Sequence, residues 1–196
     1  MPLRTATTRS VITIGLDEVG RGSLAGPVVA GACWLNPKRR NVRITDSKAL
    51  TLADREKAFV WIAQHCKYGI GMVSATEIDD IGILAATEKA MQLAITDLKR
   101  HIEPGHLLVD GRDKFRFTYP HTSIIRGDQK ERCISAASIV AKVVRDRLMT
   151  DLATSFPEYG FERHKGYGTD MHCSAIRKHG LCALHRRSFV GRIITA

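Results

Sequence analysis

Residues 11–17 form a short β-rich segment, after which Gly20, Gly22, Gly26 and Pro27 break the pattern and residues 28–35 resume as an unbroken apolar run of strand length. Strand, glycine loop, strand is the expected order. Residues 52–66 have helical composition behind two candidate caps, Asp46 and Thr51, and residues 68–75 supply a third strand. From Thr76 the period lengthens: Ile81, Leu84, Met91, Ile95 and Leu98 recur at helical spacing and predict one long helix, stopped by Pro104 and Gly105. Short strands follow at 106–109, ending on Asp110, and at 123–125, ending near Gly127 and Asp128. Cys133, Ala137, Val140, Val144, Leu148 and Leu152 mark a second strong helix, and residues 170–179 a shorter one with Gly180 as its stop. Elements in this order indicate an α/β fold with a mixed sheet.

The 196 residues are 44% hydrophobic and 26% charged, the composition of one soluble globular domain. No apolar stretch reaches the roughly 18 residues of a membrane-spanning helix, so no membrane partner is expected. Residues 1–10 lack the apolar run of a secretory signal and read as a frayed end. Cys33, Cys66, Cys133, Cys173 and Cys182 make an odd set without a C-x-x-C pair, which suits buried thiols in a reducing compartment and a cytoplasmic location. Thirty Lys and Arg against 20 Asp and Glu leave a formal charge of +10, which favours a polyanionic partner. The excess is concentrated late in the chain, where Arg163, Lys165, Arg177, Lys178, Arg186, Arg187 and Arg192 outweigh Glu158, Glu162 and Asp170. This basic region, about 156–196, is expected to be helical and to share a single domain, 1–196, with a core at about 10–155.

Asp17 and Glu18 stand together at the end of the first strand, before glycines that allow a ligand to approach the backbone closely. In a regular strand their carboxylates face opposite sides. The glycines are expected to turn the chain so that both converge, where a hard divalent cation would bind. Gly20, Gly22 and Ala25 also fit the loose G-x-G-x-x-G/A pattern, but a dinucleotide loop must open a helix, whereas residues 27–30 read as strand and the two acids repel phosphates. No nucleotide cofactor is expected. Asp110 and Asp128 close further strands; each alone reads more simply as a turn former. With Asp17 and Glu18 they complete a four-carboxylate set of the kind that holds two metals for phosphoryl chemistry.

His164-Lys165-Gly166-Tyr167-Gly168 brings a cation suited to phosphate and an aromatic suited to stacking on a base or sugar, against the plainer reading of a glycine-rich turn with a packing Tyr. Lys142 and Asp146 form an i,i+4 pair on the second strong helix, a structural role for Asp146. The chain has no H-E-x-x-H, no Cys/His quartet, no Walker A sequence and no G-x-S-x-G, so zinc and nucleophilic-serine chemistry have no support. Two alternatives stand beside a metal-dependent enzyme: a metal-independent ribonuclease using His164 or His185 as general acid and base, and a non-catalytic RNA- or hybrid-binding module.

Asp17-Glu18-Val19-Gly20-Arg21-Gly22, Leu24-Ala25-Gly26-Pro27-Val28-Val29, Asp46-Ser47-Lys48, Val109-Asp110-Gly111, Gly127-Asp128, the run from Ile134 to Val143, His164-Lys165-Gly166-Tyr167 and His185-Arg186-Arg187-Ser188-Phe189 together resemble the bacterial ribonuclease HII family. The resemblance covers nearly the whole chain. It implies a ribonuclease H-like fold: a five-stranded mixed sheet flanked by helices, with a small helical C-terminal region. It also implies an endonuclease that hydrolyses the RNA strand of RNA/DNA hybrids and cuts 5′ to ribonucleotides embedded in duplex DNA, leaving 3′-hydroxyl and 5′-phosphate ends.

By motif position, the resemblance implies that Asp17, Glu18, Asp110 and Asp128 are the catalytic, metal-binding carboxylates, with two Mg²⁺ or Mn²⁺ ions serving the attacking water and the leaving oxygen. Gly20, Arg21 and Gly22 would read the ribose 2′-hydroxyl, and Tyr167 would stack on the sugar of the following deoxynucleotide. Lys48, Lys142 and Lys165 would contact phosphates, and the protein is expected to act as a monomer. The chain departs from the family pattern at Arg112-Asp113, where Asn and Arg are usual, at Gly82, where Asn is common, and at Ala49, where a second Lys is common. None of these removes a proposed ligand; they bear on the backbone around Asp110 and on phosphate affinity.

Overall fold

The computed structural model describes residues 11–39, 44 and 50–194. Residues 1–10, Asp46, Lys48 and Ala49 lie outside the described residues, and with them the expectations placed there. Strands β1 (Thr13–Val19), β2 (Val28–Trp34), β3 (Lys67–Val73), β4 (His106–Asp110) and β5 (His121–Ile124) form one sheet in the order β3-β2-β1-β4-β5. β1, β2 and β3 are antiparallel neighbours, whereas β4 and β5 continue from β1 in parallel. The expected five-stranded mixed sheet is present.

Strand alternation decides which helix meets which face. Ile14, Leu16, Val28, Ala30 and Ala32 are buried together with Ala86, Ala90, Met91, Ala94 and Leu98 of α3 (Ile83–Leu98). On the opposite face, α5 (Arg132–Ala153) and α1 (Leu52–His65) bury Cys33, Ala58, Ile62, Ala137 and Val140. The closeness of α5 explains two glycines. A Cβ on Gly15 would lie 2.1 Å from the Cys133 carbonyl carbon, and one on Gly31 2.4 Å from the Ala137 oxygen. α1 starts at Thr51, whose hydroxyl accepts from the Asp54 N–H at 3.1 Å.

Three elements differ from expectation. The single long helix is two, α2 (Ala75–Ile81) and α3, because Gly82 adopts φ 80° between them. That break frees α2 to present Asp79, which accepts the Arg187 and Ser188 N–H groups at 2.7 and 3.0 Å and so caps α8 (Arg187–Ile194). β5 begins at His121 rather than Ser123, and its first three residues are exposed at the sheet edge. The segment 127–130 forms a short helix, α4 (Gly127–Lys130).

Beyond α5 come a 3₁₀ turn (Pro157–Tyr159), α6 (Phe161–His164), α7 (Asp170–His179) and α8. This region shares a small core with the body of the protein, where Ala25 and Met149 meet Tyr159 and Phe161. All five cysteines are free thiols; only Cys33 and Cys66 are fully buried, so the expectation of buried thiols holds for two. No helix among the described residues is long and apolar enough to cross a membrane.

Candidate active site

The β1–β2 ladder runs through Asp17↔Gly31 and Glu18↔Ala30 to Val19↔Val29, so the glycines that follow do not turn the two acids to one side. Alternation places Asp17 on the α5 face with Gly15, and Glu18 on the α3 face with Leu16. Convergence comes from the neighbouring strand. Leu16 pairs with Val109, which ends β4 with Asp110 beside Asp17. Asp17 is 5% exposed, and its carboxylate accepts the Glu18 N–H at 2.8 Å and a bond from the Ser138 side chain. Burial, then the charges of Glu18 and Asp110, hold the Asp17 carboxyl well above the usual carboxylate range. Burial also raises Glu18, opposed by the Arg21 guanidinium, whose Nη1 lies 3.2 Å from Oε1.

Asp110 Oδ1 accepts the N–H groups of Gly127 at 2.6 Å and Asp128 at 3.4 Å. Arg126, at φ 54° and ψ 45°, makes the left-handed turn that brings these donors round. Backbone support for Asp110 therefore comes from the start of α4 and not from Arg112. Asp128 is 3% exposed, and its carbonyl accepts the Ser135 hydroxyl at 2.5 Å. The structure thus couples Asp17, Glu18 and Asp110 electrostatically and ties Asp128 to Asp110 through the backbone. Among the described residues, no three His, Cys, Asp or Glu side chains make a ready-made cage for an ion. The donor chemistry nevertheless fits a hard divalent cation: the four side chains offer oxygen alone, and at Asp17 and Glu18 burial disfavours the negative charge.

The 20–27 loop is held by two arginines with no exposed surface. Arg145 of α5 donates to the carbonyls of Pro27 at 2.9 Å, Ala25 at 3.1 Å and Lys165 at 2.9 Å. Arg186 donates to Gly26 at 3.0 and 2.8 Å and to Arg21 at 2.9 Å. Burial lowers both guanidiniums, Arg186 to about 10, and carbonyl dipoles supply their partners. Gly20, at φ 89°, is required by this packing, because a Cβ there would lie 2.2 Å from Arg145 Nε. Gly22 is not: a Cβ would meet nothing within 4 Å. Open space against the Gly22 backbone is room for a ligand.

The loop continues into the second motif, since Leu24 and Ala25 donate to the Gly166 carbonyl at 2.8 and 3.2 Å. Tyr167 is half-buried, with the Arg145 guanidinium 5.4 Å and the Lys142 ammonium 5.7 Å from its ring centre. Lys142 pairs with Asp146 at 2.8 Å, as the helical spacing predicts. Lys165 turns its ammonium back onto the Glu162 carbonyl. The Ser23 hydroxyl is buried without a hydrogen-bond partner.

Sequence reasoning missed the network beneath this loop. The Cys182 N–H donates to His185 Nδ1 at 3.0 Å, so the proton of a neutral His185 ring sits on Nε2. That atom faces His172 Nε2 at 3.1 Å, which must accept, leaving His172 Nδ1–H to donate to the Tyr167 carbonyl at 3.0 Å. His164 accepts the Gly166 N–H on Nδ1 at 3.2 Å and donates from Nε2 to the Tyr159 carbonyl at 2.8 Å. Burial lowers all three imidazoles, His172 to about 4. Both nitrogens of each ring are engaged by protein groups, so His164 and His185 read as structural here, which weighs against the metal-independent alternative. No local signal exposes this chain of bonds, because its members lie on separate turns and each His alone reads as a packing residue.

Residues 14–191 match the family model described as Ribonuclease HII. The chain is 49% identical over 176 residues to the ribonuclease HII of Bacillus cereus strain B4264, covering 89% of this chain and 67% of that protein. It is 48% identical over 180 residues to that of Chlamydia caviae, covering 91% and 84%. The crystal structure of the ribonuclease H2 from Pyrococcus horikoshii OT3 superposes with a TM-score of 0.75 at 27% identity, covering 93% of this chain and 97% of that one.

Proposed function

The chain belongs to the ribonuclease HII family, and on that premise we propose that Asp17, Glu18, Asp110 and Asp128 hold two divalent ions, Mg²⁺ or Mn²⁺, that it uses in turnover. It is a ribonuclease H acting on RNA/DNA hybrids, and its family is divalent-metal dependent. The observation that carries the residue assignment is the stress on buried Asp17 and Glu18 beside Asp110, which a cation relieves. When bound, such ions supply activation of water and neutralisation of charge on the phosphate and leaving oxygen.

The remaining work falls to the chain itself. Arg145 and Arg186 fix the 20–27 backbone, so that Gly20, Arg21 and Gly22 can meet a ribose 2′-hydroxyl at the open side of Gly22. Tyr167, its carbonyl held by His172, offers its ring to the sugar of the next deoxynucleotide. Lys142, Lys165 and, outside the described residues, Lys48 take the phosphates. On this reading the enzyme also cuts 5′ to single ribonucleotides in duplex DNA, leaving a 3′-hydroxyl and a 5′-phosphate. Free thiols support a cytoplasmic location.

The test is a duplex carrying one ribonucleotide, incubated with Mg²⁺, Mn²⁺ or EDTA, with product ends mapped. Metal-dependent cleavage on the 5′ side of the ribonucleotide is expected; EDTA-resistant cleavage or a 2′,3′-cyclic phosphate overturns the reading. Tyr167→Ala is expected to lower the rate at a lone ribonucleotide about tenfold more than on a long hybrid, in line with the loss of one stacking contact. Equal losses on the two substrates would remove Tyr167 from junction sensing.

A further inference from the structure

Arg21 carries two roles that conflict. Its backbone belongs to the proposed ribose-reading loop, while its guanidinium pairs with one of the carboxylates proposed to bind metal, Glu18. A single nitrogen, Nη1, reaches both Glu18 Oε1 at 3.2 Å and Asp113 Oδ2 at 2.6 Å. The Glu18 side chain is 14% exposed and the Asp113 side chain 31% exposed, so Glu18 is the partner in greater need of a counter-charge. A divalent cation at Glu18 and the guanidinium on its Oε1 compete for the charge of one carboxylate. If Glu18 were the only acid in reach, an entering cation would leave Arg21 with a weakened partner. Asp113 changes that balance: its bond is shorter, and it is the larger of the two hydrogen bonds that sustain the Arg21 charge against burial.

Resting on the metal role proposed for Glu18, we propose that Asp113 is a positioning residue that retains the Arg21 guanidinium while Glu18 is surrendered to an incoming divalent cation. Its position explains why the chain tolerates an acid where the family commonly has Arg: the added carboxylate is engaged by Arg21 and does not stand as a further uncompensated charge. It also couples the two halves of the site, since the Arg21 carbonyl is held by Arg186 while its side chain leans on Asp113.

Mn²⁺ binding to the substrate-free protein, read by calorimetry, tests this without any turnover. Asp113→Asn is expected to weaken Mn²⁺ about threefold to fivefold, the scale of a partly exposed ion pair. Asp113→Glu is expected to restore affinity, which a loss of fold would not allow. The decisive comparison is made in an Arg21→Gln background, where the effect of Asp113→Asn is expected to shrink to less than about 1.5-fold. A weakening that is undiminished or larger there would mean that Asp113 acts only as a distant negative charge, and would overturn the inference, as would no effect in the unsubstituted protein. Glu18→Gln separates this from the premise: it is expected to weaken Mn²⁺ by about tenfold or more, and an unchanged affinity would remove Glu18 from the metal site altogether.

Discussion

At the end of β1, Asp17 and Glu18 bring carboxylates beside Asp110 where burial disfavours their charge, whereas under the 164–168 loop His164, His172 and His185 gather and carry no charge. Both clusters are polar and largely buried. In the second, every ring nitrogen has a partner and the proton positions follow one from another along the chain of bonds. In the first, N–H and hydroxyl donors and one guanidinium leave the Asp17 and Glu18 carboxyls still raised. A closed network holds a shape; raised carboxyls mark a place where an added positive charge would be stabilising. The contrast separates scaffold from site without reference to any relative.

The largest effect that sharpens this contrast is expected from Asp17→Asn. Cleavage should fall by about three orders of magnitude or more, the scale of losing charge stabilisation at a reacting centre. Thermal unfolding of the metal-free variant should nevertheless occur at a higher temperature than in the unsubstituted protein, because a buried, repelled carboxylate has been replaced by a neutral amide. The folded-state carboxyl is raised, so it favours folding most below its ordinary value of 3.8 and loses that contribution as pH rises. The gain from Asp17→Asn should therefore vanish near pH 3 and grow as pH rises above 3.8 towards neutral. A lower unfolding temperature at neutral pH would contradict the claim of stress.

The histidine cluster should respond to pH in the opposite sense. His172 is lowered from 6.5 to about 4, so its contribution to stability is complete above pH 6.5 and is lost as pH falls through about 4. Acid relieves the first cluster and breaks the second. His172→Phe is expected to cost about 2–4 kcal/mol at pH 7, since the Tyr167 carbonyl and His185 Nε2–H both lose their partner. Denaturant melts between pH 7 and 4.5 should then show a shallower acid-side decline in the variant; an unchanged slope would place the proton uptake elsewhere. The smallest effect belongs to Ser23→Ala. Removing a buried hydroxyl without a partner should stabilise the protein by about 1 kcal/mol, and destabilisation would show that the hydroxyl has a bound water or ligand.

What could be read from the chain alone follows the range of the interactions involved. Strand period, glycine punctuation and caps are local, so β1, β2, β3, α1, α5 and α7 were foreseeable within a residue or two. Gly82 lies inside a continuous helical period, and nothing near it announces that Asp79 must be freed to cap α8. β5 is an exposed edge held by its ladder to β4, so apolar alternation was absent as a signal. The four candidate carboxylates could be proposed from strand ends and motif, yet the means by which Asp110 comes beside Asp17 could not. It depends on the parallel register of β1 and β4, which the glycine-turn expectation replaced with a local device. The contacts of Arg145, Arg186 and Asp113 cross long stretches of sequence and those of His172 join separate turns, so their roles stayed invisible.

The contacts from Arg186 to the carbonyls of Gly26 and Arg21 join positions 160 and 165 residues apart. During translation the early loop leaves the ribosome long before the arginine that secures it has been made. A nascent chain is accordingly expected to pair its central strands while the 20–27 loop stays unsecured, and to fix that loop only once Arg186 has emerged.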